Sequence, residues 1–403
     1  MSTDYLEKVR GGITAVRGFE AAGVHCGLKK NGENDLAMLY SREPAVAAGV
    51  FTTNKFKAAP LYVTEKHICH PVRAIVINSG IANACTGEQG LADALNTAEI
   101  TAGELGVRKE EVLVASTGVI GVYLPLEKIA RGITLAAQNL SPQGGEEAAQ
   151  AIMTTDTKIK ESACRVAAGE KSFMLAGMAK GAGMICPDMA TMLAFLATDV
   201  QIKREALQRA LSRAVERSFN LITVDGDTST NDMVVLLANG AAGLEIEEGG
   251  PLWETFNRAL LQVCRELAYL IVADGEGATK VIKLRVKGAP DDQVARKLAR
   301  TILNSPLVKT AFFGEDANWG RIVTAMGYTD AHFDPGRVDV FFGPAQVVAG
   351  GKGLLFDELQ VKEVLSQAEI PVLVDLHLGT AEVTAWGCDL SYDYVKINSA
   401  YRS

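Results

Sequence analysis

A layered α+β fold is what the sequence predicts, and three observations carry it. Short β-branched runs end in glycine or asparagine, longer segments place apolar residues at helical spacing, and the two alternate along 403 residues. The strand candidates are residues 74–78, 112–115, 281–286, 338–342 and 372–377. Residues 281–286 alternate apolar and charged side chains, the pattern of a strand with one face on a core. The helix candidates are residues 91–105, 126–140, 204–219, 252–271 and 291–303. The chain is too long for one ordinary core, and at roughly 100–200 residues per domain two large lobes are expected. With 48% hydrophobic and 22% charged residues, the composition is that of a chain that folds.

Charge and cysteine usage narrow the function classes. A net charge of −8 without a Lys/Arg run gives nucleic acid or an anionic membrane no electrostatic reason to bind. The N-terminus lacks a basic segment followed by an apolar one, and no run approaches about 18 apolar residues, so a cytoplasmic location is expected. Seven scattered cysteines, none in a Cys-x-x-Cys pair, read as reduced and mostly buried thiols. Asp225, Asp227, Asn231 and Asp232 have the chemistry of a metal loop but miss the EF-hand spacing and its closing glutamate. His67, Cys69 and His70 fail zinc spacing and read as a strand edge or a loop. No metal is expected.

Residues 174–199 differ from the rest. They read as a Gly-rich loop, a Pro-Asp turn, and a strand-like apolar run that begins at Thr191. A hydroxyl residue at the start of a buried strand, after a small residue and a Gly/Pro loop, is the local arrangement an N-terminal nucleophile requires. The Thr191 hydroxyl attacks the Ala190 carbonyl, the amide becomes an ester, and water hydrolyses it. The freed α-amine, with a reference pKa of about 7.7–8.0, then serves its own hydroxyl as general base. A threonine opening a strand is also common for steric reasons alone, so the local pattern by itself does not identify a catalyst.

The run PDMATMLAFLATD (187–199) resembles the processing site of the glutamate N-acetyltransferase family of arginine biosynthesis, also called ornithine acetyltransferases. Seven further blocks agree in order along almost the whole chain: FTTN (51–54), NSGIANACTG (78–87), STGVIG (116–121), MTTDT (153–157), TVDGDTSTND (223–232), VADGEGATK (272–280) and FGEDANWGR (313–321). The resemblance implies an α/β/β/α-type sandwich of N-terminal-nucleophile kind, cut between Ala190 and Thr191 into fragments 1–190 and 191–403. It implies transfer of an acetyl group from N2-acetyl-L-ornithine to L-glutamate through an acetyl-Thr191 intermediate, without a cofactor. Members divide into those that recycle acetyl from acetylornithine and those that also accept acetyl-CoA, and no motif here decides between them. The family's usual state, two copies of each fragment, implies a heterotetramer.

By the same resemblance, Thr117 and Gly118 form the oxyanion hole. A Ser-Thr-Gly turn after a strand suits that role, because glycine lets the backbone approach and the threonine hydroxyl adds a donor. Thr154 (with Thr155 beside it), Lys180, Thr191, Glu276, Asn398 and Ser403 match substrate-binding positions. Lys180 would hold the α-carboxylate common to both substrates, and Glu276 an ammonium. Ser403 stands where the family often has threonine, which keeps the hydroxyl. The rival readings are an N-terminal-nucleophile aminopeptidase or amidase, which hands the acyl group to water, and a non-enzymatic amino-acid-binding protein.

Overall fold

The computed structural model describes residues 6–186 and 192–400. Ala190, Thr191 and Ser403 therefore lie outside the described residues. The strands of the first half are β1 (Leu6–Val9), β2 (Phe19–Val24), β3 (Leu36–Phe51), β4 (Val72–Ile81), β5 (Val112–Val119), β6 (Lys160–Ala168), β7 (Lys171–Lys180) and β8 (Leu193–Thr198). Then come the two-residue β9 (Gln201–Ile202) and β10 (Ile222–Thr223), β11 (Met233–Ala238) and β12 (Glu245–Ile246), which pairs with β9. The last six are β13 (Val281–Ala289), β14 (Asp339–Phe342), β15 (Ala345–Ala349), β16 (Lys352–Gly353), β17 (Glu369–Asp375) and β18 (Ala381–Cys388).

One large sheet runs in the order β1-β6-β7-β8-β11-β3-β4-β5, with β2 added beside β3. Its hinge is β3. Residues 36–41 pair with β2, residues 46–51 pair with β11, and the register against β4 breaks between Tyr40 and Ala45. Such an irregularity bends a strand, and the sheet folds into two halves. Leu39, Ile75 and Ile77 from one half share a core with Met178, Phe195 and Val235 from the other. Helix α1 (Ala59–His67) packs on β5. Helices α2 (Gly87–Leu105) and α3 (Leu126–Gln138) build a second core outside the β2–β5 half, and α4 (Gly145–Ala151) packs on β2. Helices α5 (Arg204–Glu216) and α6 (Trp253–Ala273) build a third outside β6, β7, β8 and β11. The result is an α/β/β/α sandwich.

A second sheet, in the order β10-β18-β13-β17-β14-β15-β16, has its own core with α7 (Asp292–Asn304), α8 (Pro306–Phe313), α9 (Trp319–Gly327) and α10 (Glu358–Leu365). The closing helix α11 (Tyr392–Ala400) buries no residue. Among the described residues no helix is long and apolar enough to cross a membrane.

Three expectations need correction. Residues 174–180 are not loop: they finish β7, which pairs antiparallel with β8. Gly177 sits there because a Cβ would meet Leu196 Cδ2 at 2.4 Å and the Phe195 carbonyl oxygen at 2.9 Å, a requirement of close packing that resembles flexibility in sequence. The two lobes expected from length do not meet at this central break either, since β7 and β8 are neighbours inside one sheet. His67 ends α1, where its Nδ1 meets the Val112 carbonyl oxygen at 2.8 Å, so it belongs to a helix and not to a strand edge or loop.

Strand β8 is buried along its whole length. Its side chains alternate between cores: Leu193, Phe195 and Ala197 point to the inner one, Ala194 and Leu196 to the one under α5 and α6. Both faces being covered, the strand reads as an unbroken apolar run. Phe195→Ala is expected to lower the unfolding free energy by about 3–5 kcal/mol, the cost of an aromatic-sized cavity that cannot collapse. Urea unfolding measures it, and a loss below about 1 kcal/mol would show that the inner core is not close-packed.

Candidate functional site

The end of β5 is shaped by its parallel neighbour. Thr117 pairs with Ser79 and Gly118 with Gly80, and Gly118 takes φ +129°. A Cβ there would lie 2.3 Å from the Gly80 carbonyl carbon, so only glycine fits. Asn231 locks the turn from the other side, donating from Nδ2 to the carbonyl oxygens of Ala82 (2.7 Å) and Ser116 (2.8 Å). Thr117 and Gly118 are thereby held at the wall of a cavity of about 150 Å³.

That cavity gathers residues distant in sequence. Thr117, Gly118, Thr154, Thr155, Lys180, Glu276 and Asn398 all line it, so every described site residue expected from the sequence converges on one place. Lys180, the last residue of β7, is 7% exposed, and its Nζ donates to Thr154 Oγ1 at 2.8 Å. Burial lowers its pKa, opposed by Asp156, Asp232 and Glu276. Glu276 follows α6 in a tight turn. Its N–H donates to the Ala182 carbonyl at 2.8 Å, and its Oε2 accepts from Asn398 Nδ2 at 2.7 Å. Gly183 lies against this carboxylate, which a Cβ would meet at 2.4 Å.

The cavity also contains residues with no assigned role. Ser229, Thr230 and Asn231 line it, together with Asp225, Asp227 and Tyr394. Asp225 accepts from the N–H groups of Met184 (2.6 Å) and Ile185 (2.9 Å) and from the Tyr394 hydroxyl (3.3 Å). Burial raises its pKa despite the backbone donors at Met184, Asp227 and Ile185. The loop weighed as a metal candidate is thus part of the cavity wall. Its polar density was the signal.

Asp232 lies just behind that wall, 3% exposed. Burial pushes its pKa well up, opposed by the Met192 N–H, by Lys180 and by the side chains of Ser229 and Thr52. Its Oδ2 has no hydrogen-bond partner among the described residues. The strand pairing of Met233 with Leu193 sets it close to the start of β8. Nothing in its local sequence distinguishes it from its neighbours.

Comparison with known proteins gives a consistent answer. Residues 20–403 match the model of the ArgJ family. The arginine biosynthesis bifunctional protein ArgJ of Symbiobacterium thermophilum is 53% identical over 402 residues, covering 99% of this chain and 100% of that protein. The protein of the same name from Bacillus subtilis is 46% identical over 406 residues, covering 100% of this chain and 99% of that one. Among solved structures, arginine biosynthesis bifunctional protein ArgJ from Bacillus halodurans is similar with a TM-score of 0.51 and 45% identity. That alignment covers 52% of this chain and 100% of the solved one.

Gly183→Ala places a methyl group against the Glu276 carboxylate and pulls it from Asn398. Any affinity of the cavity for an ammonium-bearing probe such as ornithine is expected to fall by about tenfold or more, the value of one charged hydrogen-bonded contact, with little change in melting temperature. Isothermal titration calorimetry measures this, and an unchanged affinity would put Glu276 outside the ligand's reach.

Proposed function

The chain belongs to the ArgJ family, and we propose that it transfers an acetyl group from N2-acetyl-L-ornithine to L-glutamate through an acetyl ester on Thr191. The observation that carries this reading is the convergence of Thr117, Gly118, Thr154, Lys180, Glu276 and Asn398 on one cavity. A cation and a carboxylate on its wall are the complementary pair that an α-amino acid needs.

Maturation comes first. The Thr191 hydroxyl adds to the Ala190 carbonyl and the C–N bond breaks, which frees the α-amine of residue 191; water then hydrolyses the resulting ester, releasing the Ala190 carboxylate and restoring the Thr191 hydroxyl. The whole of the solved Bacillus halodurans chain aligns to 52% of this one, close to the share that residues 191–403 make up, and this length supports a processed chain.

In the transfer itself the α-amine takes the hydroxyl proton while Oγ attacks the acetyl carbonyl of acetylornithine. Negative charge then develops on the carbonyl oxygen, where Thr117 and the Gly118 backbone donate to it. The amine returns the proton to the departing ornithine nitrogen, leaving acetyl on Thr191. Glutamate enters the same cavity and its amine reverses the sequence. Lys180 holds the α-carboxylate in both halves, so one anchor serves two substrates with different side chains. Glu276, positioned by Asn398, faces the ammonium, and Ser403 completes the substrate contacts. The reading includes a cytoplasmic enzyme built from two copies of each fragment, needing no cofactor, with acetyl-CoA as a second candidate donor.

Purified protein is expected to run as two fragments on a denaturing gel, the second beginning at Thr191, and to form acetylglutamate from acetylornithine. Thr191→Ala should leave one 42.9 kDa chain without transferase activity. A Thr191→Ala protein that still cleaves, or a wild type that makes no acetylglutamate, sinks the proposal. Thr117→Ala should lower kcat about 10²–10³-fold, the typical cost of one oxyanion donor; an unchanged kcat would remove its hydroxyl from the mechanism.

A further inference from the structure

Behind the cavity four charged side chains of alternating sign form a continuous line. Lys180 Nζ lies 3.9 Å from Asp156 Oδ2. Asp156 Oδ1 accepts from Lys160 Nζ at 2.7 Å and from the Gly181 N–H at 2.6 Å, while Oδ2 accepts from the Thr154 N–H at 3.0 Å. Lys160 Nζ continues to Asp274 Oδ2 at 2.6 Å. Asp274 caps the end of α6, two residues before Glu276, and takes the N–H groups of Thr157 and Lys158. Asp156 and Lys160 are 8% and 1% exposed.

Stability does not explain this arrangement. Buried ion pairs can often be replaced by apolar residues of similar volume at little loss, which directs attention to what these charges supply that a methyl group cannot. The line starts at the lysine assigned to the substrate carboxylate and ends on the turn that presents Glu276. It therefore connects the two anchors of the cavity. Lys180 works only as an ammonium, and burial opposes that state. The groups facing it are Asp156 from the loop before β6, Lys160 on β6, Asp232 ahead of β11 and Glu276 after α6, with Lys29 from the loop between β2 and β3 also within electrostatic range. Among the charges that favour the ammonium, Asp156 is the largest, and Lys160 opposes it. Asp156 can fill that role at all working pH values. Burial would raise its pKa, but Lys180 and Lys160 hold it well below the usual carboxylate range.

We propose that Asp156 is a positioning residue for acetyl transfer: it supplies the negative charge beside Lys180 and, through Lys160 and Asp274, fixes that lysine relative to the turn carrying Glu276. The proposal rests on the function given above, in which Lys180 holds the α-carboxylate. With Asp156 neutralised, Lys180 faces burial and the Lys160 charge with less support, so it loses its proton at lower pH. A neutral amine no longer holds a carboxylate. KM for both amino-acid substrates then rises as pH rises, and the rise begins earlier than in the wild type.

The test is the pH profile of KM and kcat, for glutamate and for acetylornithine, in mature wild type, Asp156→Asn, Asp156→Glu and Lys160→Gln. Asp156→Asn should move the alkaline rise in KM down by about one pH unit, giving about tenfold higher KM above it, with kcat at saturation much less affected. Asp156→Glu should restore part of the shift. Lys160→Gln removes the opposing charge and should move the rise to higher pH, a reversal of sign that general damage cannot produce; it carries the test alone if Asp156→Asn fails to mature. Wild-type KM profiles in the variants that mature, or losses confined to kcat, would overturn the proposal. A wild type with no transferase activity would instead refute the function it rests on.

Discussion

Leu193 is paired on both sides, with Lys180 of β7 across one ladder and Met233 of β11 across the other. A fully buried strand must place its backbone donors and acceptors on its neighbours, so this register is fixed over all six residues of β8. The site depends on it. Leu193, the first residue of β8, is held beside Lys180 on one flank and beside Met233, which follows Asn231 and Asp232, on the other. A slip of one residue would exchange the two faces of the strand and send Phe195 from the inner core to the one under α5 and α6.

The remaining walls are set by constraints of the same kind. Position 118 must be glycine because the Gly80 backbone beside it leaves no room for a Cβ. Glu276 is carried by the turn that ends α6, and the Asp274 cap of that turn is tied to the loop holding Thr154. Helix α11 brings Asn398 and Tyr394 to the cavity, where they bond to Glu276 and Asp225, while its Tyr392 packs edge-on against Phe313. Rigid strands thus place Lys180, Thr117 and Gly118 on one wall of the cavity, and a surface helix supplies Tyr394 and Asn398 to another.

Much of the fold was legible in sequence where periodicity was strong. All five strand candidates and all five helix candidates coincide with elements, β4, β5, β13, β14 and β17 and α2, α3, α5, α6 and α7, to within a few residues at their ends. Strand β7 was hidden because Gly177 reads as loop, and α11 because it buries nothing and so has no apolar stripe to detect. At the site, the matching blocks pointed to Thr117, Gly118, Thr154, Lys180, Glu276 and Asn398. The line through Asp156, Lys160 and Asp274 was invisible, since three ordinary charged residues acquire meaning only when folding buries them side by side.

If transfer runs through an acetyl ester on Thr191, acetyl rests on the chain between donor and acceptor, and intact-mass analysis of mature protein mixed with acetylornithine, with no glutamate present, detects it. The fragment beginning at residue 191 is expected to gain the mass of one acetyl group, located on Thr191, and to lose it when glutamate is added. An enzyme that makes acetylglutamate while neither fragment ever carries acetyl would contradict that route.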